Sequence, residues 1–293
     1  MIYLLLGVLC STLLIIILKL FPKYKINTLH GIVVNYITCV IVGCIINSTS
    51  PNVLATGFAQ SWTPIAFLLG LFFITIFNLS AITTQKIGVS ITSMAMKLAF
   101  IFPILIGILV YHESSSALKI LGISMAIIAV VSSSLSSGGS KKEKVATWLL
   151  LLPIIVFMGS GACDSMVQYA QLYYFAGGGF ELFSIMLFVF AALIGFIFAV
   201  IISIKKRETL QIQSIVGGVL LGIPNYLSIY FLFQTLLHTG WESTIVFPLA
   251  NISVVISSAI VGIFFFKERL NKFNFIGLGL AIVSVIILII TTH

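Results

Sequence analysis

Apolar runs of about twenty residues recur along the whole chain, each closed by charges, a proline or a polar cluster. A bilayer's hydrocarbon layer of roughly 30 Å is crossed by about 20 apolar residues in a helix, so each run predicts a membrane span. The runs lie near 2–20, 30–47, 62–84, 88–111 and 116–135, then near 148–173, 180–203, 213–237, 242–266 and 271–291. Between the two sets, Ser136 to Lys144 (SSGGSKKEK) is small, polar and charged, the composition of a linker. The pattern predicts an all-α integral membrane protein of about ten transmembrane helices. Its units are a first five-helix repeat over 1–135, a linker over 136–147 and a second five-helix repeat over 148–293. The first run starts at Ile2 with no basic segment ahead of it and no small-residue cleavage site before Phe21-Pro22. A retained first helix is therefore expected in place of a secretory signal.

Composition removes the main competitor. The chain is 60% hydrophobic and 8% charged, with a mean hydropathy of +1.24, which no soluble core accounts for. The net charge of +8 raises nucleic acid as a partner, but the basic residues sit in short clusters between apolar runs and form no soluble basic face. Their distribution speaks instead to orientation. The loops after the odd-numbered spans hold Lys19, Lys23, Lys25, Lys86, Lys141, Lys142, Lys144, Lys205, Lys206, Arg207, Lys267, Arg269 and Lys272. The opposite side holds Lys119 alone, and Lys97 falls within a span. Basic loops stay preferentially in the cytoplasm, so both termini are expected outside it.

The two halves resemble each other weakly. Gly107, Glu113 and Gly122 recur at a constant offset as Gly262, Glu268 and Gly277, each Glu standing at the turn between two apolar helices. A unit with an odd number of spans reverses orientation on duplication, and inverted repeats are a common construction for alternating-access carriers. Span count, length, the central linker and the paired segments Glu113 to Gly122 and Glu268 to Gly277 together resemble the drug/metabolite transporter superfamily, and within it the EamA-type carriers. The resemblance covers nearly the whole chain. It implies two inverted five-helix repeats around a central cavity, in a bacterial inner membrane, moving small metabolites such as amino acids, sugars or drugs. It also implies termini in the cytoplasm for many members, and here the charge distribution argues the reverse.

Ionisable side chains deep in a span are costly and mark functional sites by default. Lys97 lies nine residues past Gly88, roughly 13 Å into the core at about 1.5 Å per residue. Asp164 lies far along the sixth span, toward the outer half. Lys97 would attract an anionic group, and Asp164 an amine or a coupling proton; a structural ion pair between them is the plainer alternative. Gln168 and Gln171 follow Asp164 on one helical face, which Gly161 continues inward. Asn78 with Thr75 and Gln85, Ser90 and Ser93 beside Lys97, Asn35 with Thr38, Asn225 with Ser228, and Asn251 extend the polar positions. Interhelical packing is the alternative for each of these. Tyr226 is a further lining candidate, and Pro224 and Pro248 are expected to break their helical ladders locally. Glu113 and Glu268 read as solvated loop carboxylates or helix-terminus contacts.

Four cysteines inside apolar runs and scattered histidines give no disulfide framework, no zinc spacing and no cofactor motif. Neither G-x-S-x-G nor a Walker sequence is present, so no enzyme activity and no ATP-driven pump is expected. The reading is a secondary transporter for a small polar, amino acid-like metabolite, driven by a gradient or by exchange, with protons as one coupling ion. Two other classes compete: an accessory membrane subunit that transports nothing, and an integral membrane enzyme acting on lipid-linked substrates.

Overall fold

The computed structural model describes residues 2–110, 116–135, 147–175, 180–239, 243–268 and 270–291. The linker Ser136 to Lys144, and with it Glu113, Arg269 and three of the basic loop residues, lies outside these. The described chain is helical, with no strand among its residues. Its α-helices are α1 Ile2–Leu20, α2 Thr28–Ile46, α3 Pro51–Thr56, α4 Thr63–Lys86, α5 Val89–Leu98, α6 Ile101–Leu109, α7 Ala117–Leu135, α8 Thr147–Tyr174, α9 Phe180–Lys206, α10 Ile212–Thr239, α11 Ser243–Phe264 and α12 Lys272–Thr291. Among the described residues nine segments are long and apolar enough to cross a membrane, Val89–Leu109 counting as one, and α7 carries a shorter apolar stretch, Ala117–Ser132. The protein is thus an all-helical, multi-pass membrane protein.

The span near 88–111 is the one the structure divides, into α5 and α6 around Ala99 and Phe100. Pro103 is the cause. It has no N–H to give Ala99, whose carbonyl accepts instead from Phe102 N at 3.0 Å, a tighter turn that ends the ladder. α10 and α11 continue through Pro224 and Pro248, so the ladder bond that each proline cannot donate interrupts neither helix. A second unforeseen element is the short α3 with a 3-10 turn, Gly57–Ala59. Ser50 starts α3, its hydroxyl accepting from Val53 N at 3.4 Å ahead of Pro51 in the first turn.

Helices from both sides of the linker interleave in two sub-bundles. One packs α1, α2, α4, α9 and α10 around Phe21, Ile32, Tyr36, Ile74 and Leu221, all under 2% exposed. The other packs α5, α6, α7, α8, α11 and α12 around Leu98, Ile101, Val156, Val285 and Leu288. Small residues permit the closest approaches. A side chain at Gly218 would stand 2.6 Å from the Gly31 carbonyl, and one at Gly222 the same distance from the Asn35 carbonyl, so α10 lies directly on α2. The sub-bundles meet where α1 faces α11 and α4 faces α5 and α8.

Candidate functional site

Lys97 occupies the last turn of α5, just before the Pro103-induced break. The carbonyls that end a helix carry partial negative charge, which favours an ammonium at this position. Lys97 borders two adjoining pockets. One, a cavity of about 30 Å³, is lined by Leu4, Gly7, Val8 and Ser11 of α1, Ser228 and Leu232 of α10 and Asn251 of α11. The other is a crevice too narrow to admit water, between α5, α11 and α12, and again includes Asn251. The larger pocket spans the seam between the two sub-bundles.

Asp164 stands across from this on α8. The exposed residues Leu151, Ile155, Met158, Tyr169 and Tyr173 share one face of α8, the face turned to lipid. At about 100° per residue Asp164 points roughly 150° away from it, on the inward face with Val156 and Phe157, which are 0% and 6% exposed. Asp164 is nonetheless exposed. An inward-facing residue is exposed only where the bundle interior holds space for water. Every residue of Leu227–Gln234 in α10 is partly exposed, whereas Leu221, Gly222, Asn225 and Tyr226 below them are buried. The opening on the side where α8 ends is thus confined to the neighbourhood of Asp164 and Leu227–Gln234, since Trp62, Ala66, Ala170 and Phe183 pack a buried cluster on the same side.

The two opposite charges meet only at a distance. Lys97 and Asp164 lie within electrostatic reach of each other, but no ion pair within 4.0 Å joins them. Neither side chain has a hydrogen-bond partner among the described residues. Lys97 and Asp164, on helical segments long and apolar enough to cross a membrane, are thus partly exposed and exposed respectively, with no ion-pair contact between them.

The remaining polar candidates divide. Gln168 follows Asp164 by one turn and is partly exposed, and Asn251 shares both pockets with Lys97. Asn35, Asn225 and Tyr226 lie elsewhere, in the α2–α10 interface. Asn225 Nδ2 donates to Asn35 Oδ1 at 3.0 Å, and the Tyr226 hydroxyl accepts from Asn47 Nδ2 at 2.5 Å. Asn78 turns its amide back onto the Ile74 carbonyl at 2.7 Å. Gly161 is packed against the Phe102 ring of α6, immediately below Asp164.

The lysine-rich face is knit together by side chains that the sequence marked only as loop charges or left unread. Lys19 donates to the Thr84 carbonyl at 2.9 Å, Asn27 Nδ2 to Glu208 at 2.8 Å, and His30 Nε2 pairs with the Ser203 hydroxyl at 2.8 Å. Glu268 makes the helix-terminus contact that was one of its two readings, at the start of α5. These residues are far apart in sequence, and no local pattern signals their pairing.

No family model matches the chain. A protein of Haemophilus influenzae described only as uncharacterized is 28% identical over 278 residues, 93% of this chain and 92% of its own length. A solved crystal structure is similar with a TM-score of 0.54 at 13% identity, over 96% of this chain and 97% of the other. At that identity the likeness is one of fold, and it extends over nearly the entire helical arrangement.

Proposed function

We propose that the chain is a secondary transporter of the drug/metabolite transporter type, built from two inverted five-helix repeats, with its lysine-rich face in the cytoplasm. It carries a small polar metabolite through a central cavity by alternating access, driven by a gradient or by exchange. The observation that carries this reading is Lys97 and Asp164, opposite charges on membrane-length helical segments that are partly exposed and exposed and make no direct ion-pair contact. Charges kept for packing alone would be paired. Asn251 and Ser228, at the seam between the sub-bundles, supply neutral hydrogen-bonding groups where rocking would reshape the pocket. The exposure of Asp164 and of Leu227–Gln234, beside a fastened lysine-rich face, supports a state open to the outside.

A thermal-shift screen of the purified protein against amino acids, sugars and nucleobases identifies the cargo class, and uptake into proteoliposomes then tests movement. Lys97→Met and Asp164→Asn are each expected to shrink the ligand response and impair uptake, and together to abolish both. Normal transport by the double variant would remove these residues from the site.

A further inference from the structure

The lysine-rich face is fastened at the junction of α4 and α5 by a carboxylate from the far end of the chain. Glu268, in the turn between α11 and α12, accepts hydrogen bonds from Val89 N at 2.6 Å, Ser90 N at 3.2 Å and Ser90 Oγ at 2.9 Å. The two N–H groups open α5, where no preceding turn supplies carbonyl partners and partial positive charge favours an anion. On the other side of the junction, Lys19 of α1 donates to the Thr84 and Gln85 carbonyls at 2.9 and 3.5 Å. Those carbonyls close α4, where a cation is favoured. Lys19 Nζ is 3.7 Å from Glu268 Oε1, and the two side chains are only 21% and 10% exposed, so water competes weakly for them.

Two glycines shape the seat. Gly88 turns the chain from α4 into α5 at φ +147°, a conformation open to glycine. Side chains at Gly88 and Gly262 would stand 2.8 and 2.5 Å from the Glu268 carboxylate oxygens. The clasp thus joins α1, the α4–α5 junction and the α11–α12 turn, segments from both sides of the linker. It grips one end of a ten-residue helix whose other end carries Lys97.

We infer that this clasp is the gate of the lysine-rich face: the cavity opens to that side only when Glu268 releases the start of α5, and α5 carries the movement to Lys97. The inference rests on the transport reading, and its test needs no cargo. Ser93 shares the α5 stripe of Ser90 and Lys97 and is 0% exposed. Ser93→Cys is labelled with a membrane-impermeant maleimide in vesicles of known sidedness, against the parent chain as background for the native cysteines. From the lysine-rich face Ser93→Cys alone stays unlabelled. Adding Glu268→Ala raises its labelling rate roughly ten- to a hundredfold, the range that one hydrogen bond to a charged group corresponds to. Gly262→Ala acts in the same direction by displacing the carboxylate, and Glu268→Gln, which keeps an acceptor oxygen, gives a smaller rise. Unchanged labelling in Glu268→Ala and Gly262→Ala proteins that elute as single species would overturn the gate. A ligand response beside flat labelling removes the gate alone, whereas graded labelling beside a silent cargo screen supports the gate and counts against transport.

Discussion

Replacing Lys97 by Met separates a binding site from a structural ion pair, because the two make opposite demands on stability. A lysine at the centre of a transmembrane helix costs about 2.5–3.5 kcal/mol on insertion scales, part of which snorkelling and cavity water recover. Lys97 has no ion pair within 4.0 Å, so its loss strands no directly bonded partner, and Asp164 keeps its access to water. Lys97→Met is therefore expected to raise the unfolding free energy by about 1–3 kcal/mol, the unrecovered part of that cost. Breaking a true buried pair would lower it by about 3–5 kcal/mol. The assay is denaturation in mixed micelles, followed by far-ultraviolet circular dichroism, with and without the ligand found by screening. At a ligand concentration a hundredfold above Kd the parent gains about 2.7 kcal/mol. Losing one charge-assisted contact weakens binding roughly ten- to a hundredfold, leaving a gain of only about 0.4–1.4 kcal/mol at the same concentration. A variant that is less stable than the parent yet keeps the full ligand gain would refute the reasoning.

Further outcomes follow from particular contacts. Asp164→Cys is expected to react readily with a membrane-impermeant thiol reagent from the side where α8 ends, and Ser258→Cys, at a site 0% exposed, to stay silent in the same labelling assay. Gly218→Ala and Gly222→Ala press a methyl group on backbone carbonyls 2.6 Å away, which calls for a loss of about 1–3 kcal/mol. Gly279→Ala meets nothing within 4 Å and is expected to gain about 0.5–1 kcal/mol from helix propensity; thermal unfolding orders the three. Asn225→Ala leaves Asn35, 0% exposed, without its amide partner and is expected to cost about 1–3 kcal/mol. The double change Asn35→Leu with Asn225→Leu removes both polar groups and is expected to cost less, which a double-mutant cycle measures.

The spans were legible in the sequence because bilayer thickness sets their length, and no tertiary information is needed to count apolar residues. The inward placing of Asp164 and Gln168 on α8 was legible for a similar reason, since they fall one turn apart. The division of α5 from α6 was within reach, because Pro103 removes a definite ladder bond, but a continuous apolar run hid it. Pro224 and Pro248 show that a missing N–H alone does not end a helix, so proline by itself does not tell a break from a continuation. Asn35 and Asn225 were indistinguishable from cavity residues until their mutual hydrogen bond across α2 and α10 was seen. The partners of Glu268 lie almost the length of the chain away, where only the packed structure brings them together.

The interleaving of the two sub-bundles also constrains how the protein is made. The most extensive helix pairings, α7 with α12, α2 with α10, α1 with α10, α2 with α9 and α4 with α9, each join a helix synthesised early to one synthesised late. When the first five spans have left the translocon, the surfaces that α10 and α12 will cover still face lipid, and Lys97 stands without the α11 wall that completes its pocket. That half is a waiting intermediate, exposed to quality-control proteases until translation finishes. Supplied as two separate polypeptides, the halves would need each other to survive, and their mutual rescue in the membrane would be a matter of folding before it became one of transport.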